Sequence, residues 1–154
     1  MDVMEPFDQE KAARVWQRVR QDPSPAPAET ELLGLIAQER ADAATYLQLS
    51  RRFQGKESAA LRQMAQQEQA HSACLKGIYT LLTGAPPVLE RPTPPPEDTA
   101  SALRRCYGAE MRSLAAYEKR TNDPQYGPVF TRLAQQEQSH CHTLLELIGK
   151  VSGK

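Results

Sequence analysis

Two nearly identical heptapeptides, AQQEQAH at residues 65–71 and AQQEQSH at residues 134–140, decide the fold that we predict for this chain. Each has a glutamate three residues before a histidine, and the whole sequence has only three histidines. Residues three apart share one face of an α-helix, so each copy would present a carboxylate beside an imidazole, as a metal ion requires. The two pairs are Glu68 with His71 and Glu137 with His140.

Apolar residues continue the same helical face on both sides of each heptapeptide. They recur at alternating steps of three and four residues, which is typical of a helix face buried in a core. An unpaired charge is costly among such neighbours, so we expect the Glu and His side chains to be neutralised by a bound partner. The first series is Leu61, Met64, Leu75, Ile78 and Leu82, and the second is Phe130, Leu133, Leu144, Leu147 and Val151.

Helix-breaking residues divide the chain into a short N-terminal helix and four longer ones. We expect the N-terminal helix within residues 1–22, where Trp16 would dock on the main domain or on a dimer partner. A proline-rich linker would follow at 23–29, before the main domain at 30–154. The four helices of that domain are expected from the N-cap Thr30 to a stop at Gly55, over 57–83 before Gly84, over 99–121, and from the cap Asp123 and Pro124 to about Lys150.

The segment between the second and third of these helices indicates the topology. It reads APPVLERPTPPPED, and its six prolines exclude a helix. About 14 residues of polyproline chain cover ~43 Å, whereas a helix of about 25 residues is ~38 Å long. Residues 85–97 can therefore cross the full length of a bundle and connect a hairpin at 30–84 to a hairpin at 98–150. We predict an all-α four-helix bundle with one long crossover connection.

Two further glutamates are predicted to face the same core. Glu39 and Glu110 lie on the apolar stripes of the first and third helices, each seven residues before a tyrosine. The two hairpins are therefore an internal repeat, and six candidate ligands can lie at one level of the bundle. Four carboxylates and two neutral imidazoles carry a total charge of about −4, which two divalent cations would cancel, with two carboxylates free to bridge them. Oxygen and nitrogen ligands without thiolate favour iron or manganese.

Composition excludes several other classes of function. The chain has 19 basic and 19 acidic residues and an isoelectric point near 6.8, so we expect neither a nucleic-acid partner nor an anionic membrane partner. The N-terminus is too charged for a signal peptide, which predicts a cytoplasmic protein. An odd number of cysteines without a CxxC motif argues against both a disulfide framework and a thiolate metal site. These cysteines are Cys74, Cys106 and Cys141.

The six candidate ligands resemble the metal-binding pattern of the ferritin-like di-iron superfamily, and within it the rubrerythrin and bacterioferritin branch. The resemblance covers residues 30–150 and implies two iron ions, with manganese or a mixed iron and manganese pair as the alternatives. It also implies a role for each ligand. Glu68 and Glu137 would bridge or nearly bridge the ions, Glu39 and Glu110 would be terminal ligands, and His71 and His140 would supply the nitrogen ligands.

The chain departs from the rubrerythrin pattern in two ways. Rubrerythrins carry a rubredoxin domain with paired CxxC motifs, which this sequence lacks, so electrons would come from a separate donor such as a rubredoxin-like protein. Rubrerythrins also have an additional glutamate one turn after the third-helix ligand, where this chain has Ser113. The equivalent residue on the first helix is Asp42, which could be a spare ligand, a hydrogen-bond partner of a ligand, or a solvated surface residue.

Other residues near the six ligands have competing interpretations. Tyr46 and Tyr117 would hydrogen bond to ligand carboxylates rather than act as redox relays. Cys106 faces inward and would have either a redox role or the role of a small buried apolar residue. His142 is expected at the surface. The two glutamine pairs, Gln66 with Gln67 and Gln135 with Gln136, are expected to face solvent.

Three functions fit this prediction. The first is a di-iron oxidoreductase that reduces hydrogen peroxide or dioxygen with electrons from the separate donor. The second is oxidation of Fe(II) for iron storage or transfer, which requires a cage of many subunits. The third is hydroxylation of an organic substrate. We expect a homodimer, which favours the first.

Overall fold

The computed structural model describes residues 25–153 of the chain, with side chains from residue 29 onward. Over this range every regular element is an α-helix, which confirms the predicted all-α class. The predicted N-terminal helix at 1–22, with Trp16, lies outside the described residues. The described helices are α1 (Pro25–Ser50), α2 (Gly55–Thr83), α3 (Thr99–Glu118) and α4 (Gly127–Ser152).

The first helix begins earlier than predicted. Thr30, the expected N-cap, lies inside α1, because the helix already includes residues 25–29 of the predicted linker. Proline is compatible with this position, because the first N–H groups of a helix have no acceptor within the helix. A proline there lacks the N–H but costs no helical hydrogen bond. Pro25 and Pro27 therefore occupy the first turn of α1 instead of preventing it.

The predicted stop of the first helix at Gly55 is also wrong. Helix α1 ends at Ser50, where the hydroxyl of Ser58 donates a hydrogen bond of 2.8 Å to the Ser50 carbonyl oxygen. Gly55 instead begins α2, with a φ of 62° that favours glycine. The predicted end of α2 is confirmed, because Gly84 caps it with a φ of 81° and a 2.8 Å bond from its N–H to the Thr80 carbonyl.

The turn between α3 and α4 is longer than predicted. Helix α3 ends at Glu118, and α4 begins at Gly127 with Pro128 in its first turn, so the predicted start at Pro124 is wrong by about one turn. Asp123 caps the intervening turn, where its carboxylate accepts the N–H of residues 125 and 126 at 2.9 and 2.7 Å. A Cβ atom at position 127 would lie 2.5 Å from a carbonyl oxygen of this turn, so the close approach requires glycine.

The core of this helical bundle consists of two apolar clusters, which lie on opposite sides of the buried glutamates along each helix. In α1 and α4, the first cluster contains residues that come after the buried glutamate in the sequence. In α2 and α3, it contains residues that come before the buried glutamate. Its members include Leu49, Leu61, Met64, Leu103, Cys106, Leu144 and Leu147. The second cluster contains residues from the other half of each helix. Its members include Leu32, Ile36, Leu75, Ile78, Tyr117, Phe130 and Leu133.

The connecting segment, residues 84–98, contains no regular secondary structure and packs against α1. The guanidinium of Arg40 donates a 2.8 Å hydrogen bond to the carbonyl of Glu90, and that of Arg52 donates a 3.0 Å bond to the carbonyl of Glu97. Arg40 lies in α1 and Arg52 lies in the turn just after it, so the segment follows α1 from Arg40 to beyond the end of the helix. None of the helices between residues 25 and 153 is both long and apolar enough to cross a lipid bilayer.

We expect Leu103→Ala to reduce the free energy of unfolding by about 2–5 kcal/mol, because it leaves a cavity in the first cluster. The matched control is Leu81→Ala, since Leu103 is 0% exposed and Leu81 is 75% exposed, both within helices. The control should change stability by about 0.5 kcal/mol or less. Urea unfolding of the metal-free protein measures both values. Equal losses in the two variants would contradict the packing described here.

Candidate metal centre

All six predicted ligands lie in the middle of the bundle, between the two apolar clusters. Helices α1 and α3 each contribute one glutamate, and α2 and α4 each contribute a glutamate and a histidine one turn apart. Each of the six residues is at most 2% exposed. They are Glu39, Glu68, His71, Glu110, Glu137 and His140.

The six side chains form two overlapping groups, each of which could hold one metal ion. Within each group, one ligand atom per residue lies within 4.8 Å of all the others. Glu68 and Glu137 belong to both groups, whereas the remaining four residues belong to one group each. The groups are Glu39, Glu68, His71 and Glu137, and Glu68, Glu110, Glu137 and His140.

His71 Nδ1 forms a 3.3 Å hydrogen bond with Glu39 Oε2, but the closest approaches among the candidate ligand atoms are not hydrogen bonds. The Nδ1 atom of His140 lies 2.6 Å from Glu68 Oε1, and that of His71 lies 2.8 Å from Glu137 Oε1. Neither contact has hydrogen-bond geometry, and both carboxylate oxygens of Glu68 and of Glu137 lack a hydrogen-bond partner within residues 25–153. Buried oxygens without a partner are strongly unfavourable. A cation among these converging atoms would satisfy them, so the donor set fits a bound metal.

The electrostatics of the cluster indicate what replaces a cation when none is bound. Burial raises the pKa of Glu39, and its hydrogen bonds with His71 and Tyr117 only partly offset this effect. Burial alone would lower the pKa of His71, but the hydrogen bond and charge of Glu39 outweigh it, so this pKa is also raised. Protons therefore compensate part of the negative charge in the metal-free protein, and a metal must displace them.

Two tyrosines hydrogen bond to Glu39 and Glu110, each from a helix of the other hairpin. The hydroxyl of Tyr46 on α1 donates to Glu110 Oε1 on α3, and the hydroxyl of Tyr117 on α3 donates to Glu39 Oε1 on α1, both at 2.5 Å. The expected hydrogen bonds to carboxylates are thus present. Burial and the neighbouring carboxylates raise the pKa of both phenols, which keeps them protonated as donors. A catalytic role for the two tyrosines stays a prediction.

Asp42 is fully buried, so its interpretation as a solvated surface residue is wrong. It belongs to neither ligand group. Its Oδ1 accepts a 2.8 Å hydrogen bond from the amide of Gln38, and its Oδ2 has no hydrogen-bond partner in the described range. Burial, followed by the charge of Glu110, raises its pKa well above 3.8. Ser113, the equivalent residue on α3, is also buried.

Cys106 lies in the first apolar cluster, with 0% exposure. Burial, followed by the charge of Asp42, raises its pKa to about 12, which keeps the thiol protonated and unreactive near neutral pH. This environment supports the alternative of a small buried apolar residue over a redox role. Cys141 is buried too, and its pKa is raised to about 11, mainly by burial.

The sequence prediction missed two glutamines that contact the histidines. Gln67 and Gln136 are half-buried rather than solvent-facing, and their amide oxygens hydrogen bond to the Nε2 atoms of His140 and His71. Their neighbours Gln66 and Gln135 are exposed, as expected. The signal available in the sequence was the repetition, since a glutamine precedes the ligand glutamate in both heptapeptides. His142 is exposed, as predicted.

The chain matches no protein-family model, no curated protein and no solved structure. The buried glutamate and histidine cluster of this helical bundle could hold a metal ion.

We expect the metal-free protein to lose stability as the pH rises from 4.5 through the raised pKa values of Glu39 and His71. The pKa values of Glu39 and His71 are raised above 4.5 and 6.5 in the folded chain, so folding binds protons in this range. Their contribution to stability is complete below the pKa values of the unfolded chain, and it disappears as the pH rises through the pKa values of the folded chain. Thermal unfolding at several pH values, with a chelator present, measures this loss.

The matched variant for this measurement is Glu39→Gln, which removes one of the groups that binds a proton on folding. Its stability should depend less steeply on pH than that of the wild type. A metal-free wild type that becomes more stable as the pH rises from 4.5 to above 6.5 would contradict the described electrostatics.

Proposed function

We propose that this chain is a di-iron oxidoreductase that reduces hydrogen peroxide or dioxygen with electrons from a separate donor. The observation that carries the proposal is the pair of overlapping ligand groups that share Glu68 and Glu137. Two shared carboxylates between two groups are the arrangement that a dinuclear centre needs, with the shared residues as bridges. Each ion would then also have one terminal glutamate and one histidine.

The donor set supports iron, with manganese as the alternative. It contains four carboxylates and two imidazoles and no thiolate, which is typical of iron and manganese centres rather than of structural zinc sites. Two divalent ions also cancel the charge of four ionised carboxylates, which burial would otherwise make very unfavourable. When bound, the irons would supply redox electrons and coordination positions for the oxidant.

The residues of the chain would prepare the centre for such chemistry in two ways. Tyr46 and Tyr117 donate hydrogen bonds that fix the orientation of Glu110 and Glu39, so the terminal carboxylates keep one rotamer. The apolar clusters above and below the ligands exclude bulk water from the centre. A dry, preorganised centre strengthens electrostatic interactions with small polar reactants.

The burial of the centre supports a small substrate. The six ligands are at most 2% exposed. Two grooves, of about 700 and 420 Å³, lie between α1 and the connecting segment, and neither is lined by any of the ligands. Peroxide or dioxygen could reach such a centre through small fluctuations, whereas an organic substrate would need a wide channel. This favours the reduction of a small oxidant over hydroxylation.

We also propose that the bundle has the ferritin-like topology with one long crossover. Its support is the composition of the two clusters, in which the early part of α1 meets the late parts of α2 and α3 and the early part of α4. This composition fits α2 and α3 pointing in the same direction. The hydrogen bonds of the connecting segment along α1 are consistent with a return across the bundle.

Anaerobic loading with Fe(II), followed by separate stopped-flow mixing with peroxide and with dioxygen, tests the proposed function. We expect one of the two oxidants to oxidise the bound iron much faster than free Fe(II). Glu68→Gln removes a shared ligand and should slow this oxidation by more than the about 10–100-fold that loss of an outer partner of a ligand commonly costs. The matched control is Glu146→Gln, an exposed position on α4, which should react like the wild type.

The outcomes separate the candidate functions. Failure of both oxidants to react with the loaded wild type contradicts the proposal. Continued uptake of Fe(II) far beyond two ions per chain, together with a closed shell by light scattering, would instead support iron storage. The homodimer and the rubredoxin-like donor stay predictions that sedimentation and steady-state turnover with a reduced rubredoxin test.

A further inference from the structure

The glutamines beside the two histidines form a reciprocal pair between α2 and α4. The amide oxygen of Gln67 on α2 lies 2.6 Å from Nε2 of His140 on α4. In the opposite direction, the amide oxygen of Gln136 on α4 hydrogen bonds to Nε2 of His71 on α2. Each histidine is therefore held by the helix that carries the other histidine.

These contacts determine which nitrogen of each ring has a free lone pair. A neutral imidazole has one N–H donor and one acceptor nitrogen. An amide oxygen can only accept, so in the neutral ring that a metal would bind, Nε2 carries the hydrogen and Nδ1 carries the lone pair. The Nδ1 atoms are the ones that face the carboxylates, at 2.8 Å from Glu137 for His71 and at 2.6 Å from Glu68 for His140.

We propose that Gln67 and Gln136 are positioning residues that aim Nδ1 of His140 and His71 at the metals. This inference rests on the metal binding in the proposed function. The two glutamines fix the tautomer and the ring orientation of each ligand, and they connect the two metal positions because each glutamine acts across the bundle. Outer partners of a histidine ligand commonly contribute about 10–100-fold to metal affinity.

The choice of glutamine also has a chemical consequence for the metals. A neutral amide accepts a weaker hydrogen bond than a carboxylate does. The imidazole therefore gains less electron density than it would from an aspartate or glutamate partner, and a less electron-rich ligand stabilises the ferric state less. Substitution of glutamate for these glutamines should lower the reduction potential of the centre while the acceptor, and hence the metal affinity, is kept.

The heptapeptides supply matched controls one residue away. Gln66 and Gln135 are exposed, whereas Gln67 and Gln136 are half-buried and bonded to the histidines. The test variant is Gln67→Leu with Gln136→Leu, and the control is Gln66→Leu with Gln135→Leu. Anaerobic titration with Fe(II) and, separately, with Mn(II) should show about 10–100-fold weaker binding for the test variant and no change for the control.

A third variant separates positioning from simple packing. Gln67→Glu with Gln136→Glu keeps an acceptor at each Nε2 and should retain metal affinity within about 10-fold of the wild type. Its reduction potential, measured by spectroelectrochemistry, should be lower. Thermal unfolding of the metal-free variants shows that each one is folded before it is titrated.

A double-mutant cycle tests the reciprocity. Gln67→Leu should weaken metal binding further in a His71→Ala background, where His140 is still present, and should have no further effect in a His140→Ala background. Equal effects in both backgrounds would overturn the assignment of Gln67 to His140.

The remaining outcomes distinguish this inference from the proposed function. Equal metal affinities of the wild type and the Gln67→Leu, Gln136→Leu variant, or an equal loss in the control, would overturn the positioning role and leave the proposed function intact. A wild type that binds metal but reacts with neither oxidant would contradict the proposed function while the affinity and potential comparisons still decide the role of the glutamines.

Discussion

The unfavourable free energy of four carboxylates in an apolar core is the constraint on which the rest of this structure depends. Glu39, Glu68, Glu110 and Glu137 are each 0% exposed, and apolar clusters lie on both sides of them along every helix. Their mutual repulsion and desolvation would be too costly without compensation. Protons can provide part of this compensation and two divalent cations would provide all of it, so a metal bound here would stabilise the bundle.

The surroundings of the centre follow its twofold internal repeat. Glu39 and Glu110 each accept a hydrogen bond from a tyrosine of the other hairpin, and His71 and His140 each bond to a glutamine of the other hairpin. Every such contact joins α1 with α3 or α2 with α4. In each of these two pairs a helix of one hairpin lies beside a helix of the other, so the polar contacts of the centre connect the two hairpins at its level.

The ligands could be predicted from the sequence because they lie on the buried stripe of each helix and recur in both hairpins. The glutamines were missed because Gln67 and Gln136 precede their stripe positions by one residue, which turns them away from the core by about 100°. Whether such a residue faces solvent or another helix depends on how closely α2 and α4 pack. The apolar pattern of a single helix does not indicate this distance. Asp42 was undecided for the same reason, since its burial depends on how wide a face α1 buries.

The helix ends show a different limit of prediction. Gly84 was identified because a glycine followed by prolines allows only a stop, whereas Pro25 and Gly55 are each compatible with either a helix start or a break. Local chemistry fixes what conformations these residues allow. The packing of whole helices then selects among them, which explains why the bounds of α1 and the start of α4 differed from the prediction.

The most direct measurement of the central claim is anaerobic calorimetric titration of the metal-free protein with Fe(II), combined with thermal unfolding at each metal ratio. Compensation of four buried carboxylates by cations predicts binding of two ions per chain, release of protons, and a higher unfolding temperature after loading. A folded protein that takes up no iron or manganese, with the same unfolding temperature before and after metal is added, would contradict the account.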